Sequence, residues 1–217
     1  MTVGTVWPVR LNLGSGPKTV PGWTSIDRSP TILLERLGGA RKLLFRAGII
    51  ESSHLNTWPR EVVRRDIRRP LPYEPAEVDA IYSSHALEHL YLTEAEAVLA
   101  ECFRVLRSGG TIRLALPDAQ AFAEQLLSAP FSGANGRIFN ERLHSHPDSP
   151  PGFLQWLRRR AGSSMHRWQP TESLLRELLT SAGFIDVQRR QFQTGEFPDL
   201  TLIEHRKDSL IVEATKP

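Results

Sequence analysis

The residues best suited to chemistry in this 217-residue chain lie where short apolar segments give way to polar ones. In residues 79–89, an apolar run leads directly into Ser83, Ser84 and His85. An imidazole titrates near neutral pH and can take a proton from a reacting group. Ligands of open α/β sheets bind at the carboxyl ends of the strands. We therefore predict a ligand site at this strand end, with His85 as a candidate general base.

A second strand exit, residues 11–16, carries Gly14 and Gly16 around Ser15. Glycine lets the backbone come close to a ligand where a Cβ would clash. A dinucleotide fingerprint needs a third glycine, a helix opening at the loop and an acid about 20 residues further on. Here residues 17–22 are too few for a crossover helix, so no helix N-terminus is present to neutralise a pyrophosphate. This counts against NAD or FAD and leaves a dehydrogenase as a minor alternative.

Two isolated aspartates follow at the ends of the next two apolar segments. Asp27 can accept hydrogen bonds from both hydroxyls of a ribose. Asp66 can accept one from the exocyclic amine of adenine, while the backbone N–H of Ile67 donates to a ring nitrogen. A ligand with a ribose and no phosphates suits this set. For either aspartate alone, a role as a cap or turn residue stays open.

The histidines allow a second interpretation. His85, Glu88 and His89 spell H-x-x-E-H, which is also the inverted zinc-protease signature. A zinc site would need both histidines on one helix face and a third ligand downstream. Because His85 is expected at a strand–helix junction, we predict no metal and interpret Glu88 and His89 as structural. His166 is a second catalytic candidate, since the segment that it begins can close over an acceptor.

The elements that must position these residues alternate short strands with helices, as in a parallel sheet covered on both faces. Thr93 with Glu96 predicts a capping box, and Gly109-Gly110 predicts a helix stop. The expected strands are 9–13, 23–27, 62–66, 78–83, 111–116, 184–192 and 208–215, and the expected helices are 94–107 and 171–181. This order defines the α/β class.

Composition restricts the class of protein further. A hydrophobic content of 40% with 24% charged residues is typical of a globular protein, and no apolar run approaches the roughly 20 residues that span a bilayer. The N-terminus lacks the features of a signal peptide, and the single cysteine, Cys102, excludes an internal disulfide. We therefore expect a cytoplasmic location.

The charge balance is mildly basic, with a net charge of +3 and a pI near 9.3. Arginines cluster at 64–69, 158–160 and 189–190. Such clusters can face nucleic acid, but no motif interleaves aromatic residues with them, so solvated surface is the favoured interpretation.

Two insertions interrupt what we predict to be a single domain over 1–217. Residues 30–60 suggest an amphipathic helical pair broken at Gly38-Gly39, which fits a lid, a dimer contact or peripheral membrane contact through 30–50. Residues 130–168 are rich in Pro, Gly, Ser and His and suggest a binding loop or lid. The oligomeric state stays open.

Taken together, these segments resemble the class I S-adenosylmethionine-dependent methyltransferases, and more narrowly a bacterial branch similar to the type 11 group. The resemblance rests on residues 11–16, 25–27, 65–67, 79–90, 103–110, 113–118, 166–168 and 208–214. It implies a Rossmann-like, open, mostly parallel sheet with an antiparallel C-terminal strand and helices on both faces. The missing first helix departs from the broad superfamily but matches this branch, where a turn like Pro21-Gly22-Trp23 leads into the second strand.

The resemblance also implies a cofactor, S-adenosyl-L-methionine, and roles for individual residues. The first motif, Asn12 to Gly16, would approach the methionine part, Ile26 and Asp27 the ribose, and Asp66 and Ile67 the adenine. Ser83 and Ser84 would lie near the methionine amine and the sulfonium. The expected function is methylation of a small-molecule acceptor, mainly O-methylation of a sugar, glycan precursor or specialised metabolite. Two alternatives are a non-catalytic S-adenosylmethionine-binding partner protein and a nucleic-acid methyltransferase.

Overall fold

A computed structural model describes residues 8–29, 31–35, 39–46, 57–128, 136–139 and 165–217. Its centre is a seven-stranded sheet in the order β3-β2-β1-β4-β5-β7-β6. The strands are β1 Arg10–Leu13, β2 Thr24–Asp27, β3 Val63–Arg64, β4 Val78–Ser84, β5 Leu106–Pro117, β6 Ile185–Arg190 and β7 Ser209–Thr215. The first five are parallel, and β7 runs antiparallel to both β5 and β6. The predicted mostly parallel sheet with an antiparallel C-terminal strand is confirmed.

Helices cover the sheet on both faces. They are α1 Thr31–Glu35, α2 Gly39–Arg46, α3 Leu92–Val105, α4 Ala119–Ser128, α5 Glu172–Ser181 and α6 Leu200–Ile203, with a 3₁₀ turn at Leu87–His89. The helices α1 and α2 fall in the predicted 30–60 insertion, but residues 36–38, next to the predicted break at Gly38-Gly39, lie outside the described residues. Residues 47–56 of that insertion and most of 130–168 also lie outside the described residues. Across the ranges given above, every helix is too short or too polar to cross a membrane.

The helix α3 begins two residues before its predicted start. The backbone N–H of Tyr91 donates to the Glu94 carboxylate at 2.9 Å, so the cap lies two positions before the expected Thr93 and Glu96 pair. The prediction of a Thr93 cap was wrong because Glu94, three residues after Tyr91, accepts the backbone hydrogen bond that the sequence pattern assigned to Glu96.

The predicted end of α3 was also wrong. Leu106 is already extended, with φ −63° and ψ 138°, and it opens β5. Gly110 lies inside this strand, where a Cβ would come within 2.8 Å of the Arg107 carbonyl oxygen and 3.1 Å of the Asp79 carbonyl oxygen. Gly110 therefore permits close backbone packing in a strand and does not stop a helix.

No helix joins β1 to β2, as the sequence predicts; residues 14–23 form turns instead. On one face of the sheet, two aromatic rings pack against Phe197. The ring centroid of Trp23 lies 5.8 Å and that of Tyr82 lies 6.3 Å from the centroid of Phe197. The carboxylate of Asp199 links residues 192–203 to the sheet, because it accepts hydrogen bonds from the Trp23 indole at 2.9 Å and from Arg10 at 2.5 Å. Residues 192–203 thus cover sheet surface that the turn between β1 and β2 leaves open.

A buried charge cluster lies on the same face. Arg113 of β5 is 0% exposed and donates to Glu204 at 2.9 and 3.0 Å and to Glu213 at 2.8 Å. It also donates to the carbonyl oxygens of Gln191 and Thr194 at 3.1 and 2.9 Å. Burial alone would lower the pKa of Arg113, but the hydrogen bonds to the two glutamates outweigh it, and the pKa lies above its usual value. The cluster ties β5 and β7 to the segment that covers them.

Candidate active site

The predicted site residues meet at one edge of the sheet because parallel strands end there together. Leu13 at the end of β1 pairs with Ile26 of β2 on one side and with Ser83 of β4 on the other. Asp27 pairs with Arg64 of β3, so the tip of β3 comes next. The glycine loop therefore leaves the sheet between the two strand ends that carry the ribose candidate and the histidine.

The two glycines of the loop serve different purposes. Gly14 has φ +69°, and a Cβ there would lie 2.3 Å from the Cβ of Ala86, in the turn after β4. Gly16 has φ +60°, but a Cβ there would meet no described atom within 4 Å. Gly14 thus permits close packing of two strand exits, while Gly16 borders open space. That space is where the backbone can approach a ligand.

Asp27 is fixed by the backbone around it. One carboxylate oxygen accepts from the Gly16 N–H at 2.9 Å and the other from the Ser29 N–H at 2.7 Å. An ionised carboxylate has about four lone-pair positions, so each oxygen keeps capacity for a further donor. The geometry fits a ribose whose two hydroxyls donate to Asp27.

Asp66 is more heavily engaged than the sequence predicts. Its oxygens accept from the Arg68 guanidinium at 2.5 to 3.1 Å and from the Arg68 N–H at 3.1 Å, and Arg28 lies 3.4 Å away. The hydrogen bonds from the Arg68 side chain hold the pKa of Asp66 well below its usual range. The carboxylate is therefore ionised, but Arg68 occupies much of its capacity as an acceptor. The Asp-x-Arg spacing was a signal for this pair that sequence reasoning missed.

Most of the remaining predicted cofactor residues are buried near the strand ends at this edge of the sheet. Ser83 is 3% exposed, and its hydroxyl donates to the Leu13 carbonyl at 2.9 Å, which ties β4 to β1. Ser84 is half-buried at the end of β4. The other buried members are Asn12, Leu13, Ile26 and Ile67. Of the two serines, only Ser84 lies partly at the surface.

His85 stands at the tip of β4 in the left-handed region, with φ +50°. Its Nε2 lies 3.0 Å from the Ser209 hydroxyl, and its Nδ1 lies 3.4 Å from the Glu88 carboxylate. The backbone N–H donates to the Ala115 carbonyl at 2.9 Å, which fixes the residue against β5. Both ring nitrogens therefore have defined neighbours, as a general base requires. Ser209 was missed because it is far from His85 in sequence, and only the insertion of β7 beside β5 brings the two together.

His166 comes to the same turn from the other end of the chain. Its side chain is 6% exposed, with Nε2 3.9 Å from the Glu88 carboxylate and the ring 5.1 Å from that of His89. The N–H of Arg167 donates to the Glu88 carbonyl at 2.7 Å, which anchors the segment. His166 thus packs beneath the tip of β4, whereas His85 lies closer to the surface.

Comparison with known proteins agrees with this architecture. The methyltransferase domain family matches residues 26–114. A probable S-adenosylmethionine-dependent methyltransferase of Mycolicibacterium smegmatis is 33% identical over 66 residues, which cover 30% of this chain and 25% of that protein. The chain thus matches only a quarter of the length of this curated relative.

Two solved structures show the same fold. A methyltransferase from Haloferax volcanii, solved with the Trm112 methyltransferase activator, superposes with a TM-score of 0.51 and 16% identity over 97% of this chain and 82% of that one. An S-adenosylmethionine-dependent methyltransferase from Thermotoga maritima superposes with a TM-score of 0.50 and 17% identity over 96% and 82%.

The strand order, the glycine loop and Asp27 together define a Rossmann-like methyltransferase fold. The matched domain and the similar Mycolicibacterium protein support a class I S-adenosylmethionine-dependent methyltransferase, with S-adenosyl-L-methionine as the cofactor. The family resemblance drawn from the sequence is confirmed.

Proposed function

We propose that the protein transfers the methyl group of S-adenosylmethionine to a hydroxyl of a small-molecule acceptor. The proposal rests on one observation, which is that His85 Nε2 at the end of β4 lies 3.0 Å from the Ser209 hydroxyl. A hydroxyl acceptor needs a base during methyl transfer because its proton must leave. Sugars, glycan precursors and specialised metabolites are the first acceptors to assay.

The cofactor would lie along the strand ends between Gly16 and His85. Asp27 would accept from the ribose hydroxyls, with its rotamer already set by two backbone N–H groups. Gly16 would allow the backbone to approach the methionine part, since it borders open space. Asp66 and Ile67 would lie toward the adenine, and Ser84 toward the sulfonium. When bound, S-adenosylmethionine supplies a methyl group activated by positive sulfur.

His85 would act on the acceptor in a single displacement. The acceptor hydroxyl would replace the Ser209 hydroxyl as the hydrogen-bond partner of Nε2. It would then transfer its proton to that nitrogen. The oxygen–carbon bond forms as the carbon–sulfur bond breaks, and the imidazole keeps the proton until solvent removes it. Glu88, 3.4 Å from Nδ1, would stabilise the positive charge that the ring acquires.

Two of the clustered arginines, Arg68 and Arg189, give little support to a nucleic-acid substrate. Arg68 pairs with Asp66 and Glu94, and Arg189 pairs with Asp118 at 2.6 Å. Acidic partners neutralise these guanidinium groups, whereas nucleic-acid binding needs cations directed at phosphates. The predicted cluster at 158–160 lies outside the described residues.

A substitution of His85 tests the proposal. We expect His85→Asn to lower kcat about a hundredfold or more, the usual contribution of a general base, with little change in cofactor affinity. Asparagine suits the test because it tolerates the left-handed backbone of this position. The measurement is formation of S-adenosylhomocysteine with a panel of hydroxylated compounds, and calorimetry gives the cofactor affinity.

The exposed His205 provides a matched control, and His205→Asn should behave as the parent protein. Equal turnover by His85→Asn would remove His85 from catalysis. Tight cofactor binding by the parent protein without turnover on any acceptor would favour a non-catalytic binding partner instead.

A further inference from the structure

The buried carboxylate of Glu88 lies in an unusual environment. The residue is 0% exposed, and neither oxygen accepts a hydrogen bond from any residue in the described ranges. Its charged neighbours are imidazoles, with His85 Nδ1 at 3.4 Å and His166 Nε2 at 3.9 Å. Both distances exceed the roughly 2.7–2.9 Å of a charge-assisted hydrogen bond. A carboxylate buried in this way is costly unless a cation compensates it.

Two histidines and this glutamate have the spacing of a metal-ligand set. Glu88, His89 and His166 each offer one ligand atom, and the three atoms lie within 4.8 Å of one another. Around a tetrahedral ion with bonds near 2.1 Å, ligand atoms are roughly 3.4 Å apart. The 3.9 Å between His166 and Glu88 thus needs only a small side-chain movement.

The tautomer of His89 also suits a ligand. Its Nδ1 lies 3.2 Å from the carbonyl oxygen of Met165. A carbonyl only accepts, so Nδ1 carries the hydrogen and Nε2 keeps its lone pair. Histidines that bind metals usually donate their other N–H to a carbonyl or carboxylate in this manner.

Backbone contacts hold the two ligand-bearing segments together independently of any ion. The N–H of Arg167 donates to the Glu88 carbonyl at 2.7 Å, and the Trp168 indole donates to the Leu87 carbonyl at 3.1 Å. These bonds keep His166 beside the 3₁₀ turn, so the ligand spacing is preorganised.

We propose that Glu88, His89 and His166 bind a divalent transition-metal ion, with Zn²⁺ as the best fit. Two imidazole nitrogens and one carboxylate oxygen favour zinc over Mg²⁺ or Ca²⁺, which prefer oxygen ligands. The set differs from the H-x-x-E-H interpretation of the sequence, because His85 turns toward Ser209 and His166 supplies the third ligand. The ion would fasten the segment after the 130–168 insertion to the turn after β4. This proposal goes beyond methyl transfer, and with the ion bound Glu88 would serve the metal instead of the charge on His85.

Metal binding by the full, untagged chain tests the proposal without cofactor or acceptor. Purified protein is stripped with a chelator and titrated with Zn²⁺, and then with Co²⁺, whose visible absorption reports ligand geometry. We expect one equivalent of each ion per chain and a rise in Tm with Zn²⁺, as expected for an ion that binds the folded state. His89→Gln and His166→Gln should each weaken binding tenfold or more, while His205→Gln should leave it unchanged.

Metal-binding measurements on the parent protein alone can overturn the proposal. The result therefore does not depend on whether a variant folds. Absence of stoichiometric Zn²⁺ and Co²⁺ binding at micromolar protein would overturn it. Binding that survives in folded His89→Gln and His166→Gln would overturn it as well. Because S-adenosylmethionine affinity is measured separately by calorimetry, failure here is distinguishable from failure of the proposed function.

Discussion

Replacing Arg113 by methionine should destabilise the protein severely. The guanidinium donates to two glutamates and two carbonyl oxygens, and its side chain and that of Glu204 are 0% exposed. Methionine fills a similar volume but leaves the buried Glu204 without a cation and leaves Glu213 with Arg190 alone, 3.4 Å away. Removing one partner of a buried ion pair costs about 3–5 kcal/mol. That loss is a large fraction of the roughly 5–15 kcal/mol that stabilises a typical domain.

Urea unfolding followed by tryptophan fluorescence measures this loss. Arg107→Met is the matched control, since Arg107 lies on the same strand and pairs with Asp79 at 2.6 Å but is 51% exposed. An exposed pair of this kind contributes about 0–1 kcal/mol. A loss below about 1 kcal/mol in Arg113→Met, equal to that of the control, would refute the argument that the cluster braces the sheet.

A second substitution should offset part of the loss in Arg113→Met. Adding Glu204→Gln removes the charge of the fully buried carboxylate that the first substitution leaves without a cation. We therefore expect the double variant to be more stable to urea than Arg113→Met alone.

Two further predictions concern the cofactor edge. Asp27→Ala should weaken S-adenosylmethionine binding tenfold or more in calorimetry, because two hydrogen bonds to a charged group contribute about 1.5–3 kcal/mol each. The control Glu177→Ala, on the exposed side of α5, should leave the affinity unchanged. Equal affinities of the two variants would remove Asp27 from the ribose role. Gly14→Ala should lower the free energy of unfolding by about 1–3 kcal/mol, because its Cβ would overlap that of Ala86. Gly16→Ala should affect cofactor affinity more than stability. The reverse pattern in denaturation and binding assays would contradict the roles assigned to the two glycines.

The sheet could be predicted from the sequence because each strand combines buried apolar residues with a turn signal at its end. The short 17–22 segment excluded a crossover helix correctly, since its length alone forbids one. The start of α3 was predicted two residues late, because Thr93 and Glu96 match the capping-box pattern whereas the observed cap, Tyr91, is not one of its usual residues. Local patterns limit where an element begins but do not fix its first residue.

The site was predictable only where its residues follow strands directly. Gly14, Asp27 and His85 belong to that group, since strand ends meet at one edge of a parallel sheet. The neighbours of His85 and Glu88, which are Ser209 and His166, come from distant parts of the chain. Their positions depend on how β7 and the segment before α5 pack, and neither periodicity nor spacing records that packing.

The position of β7 has a consequence for biosynthesis. It follows every other strand in the chain, yet it lies between β5 and β6 inside the sheet. Until residues 209–215 have left the ribosome, β5 has a bare edge and β6 has no partner strand. The nascent chain can assemble β1 to β5 early, but it would expose that edge to aggregation until β7 has been synthesised. Chaperone demand should therefore concentrate in the interval between the synthesis of β5 and that of β7.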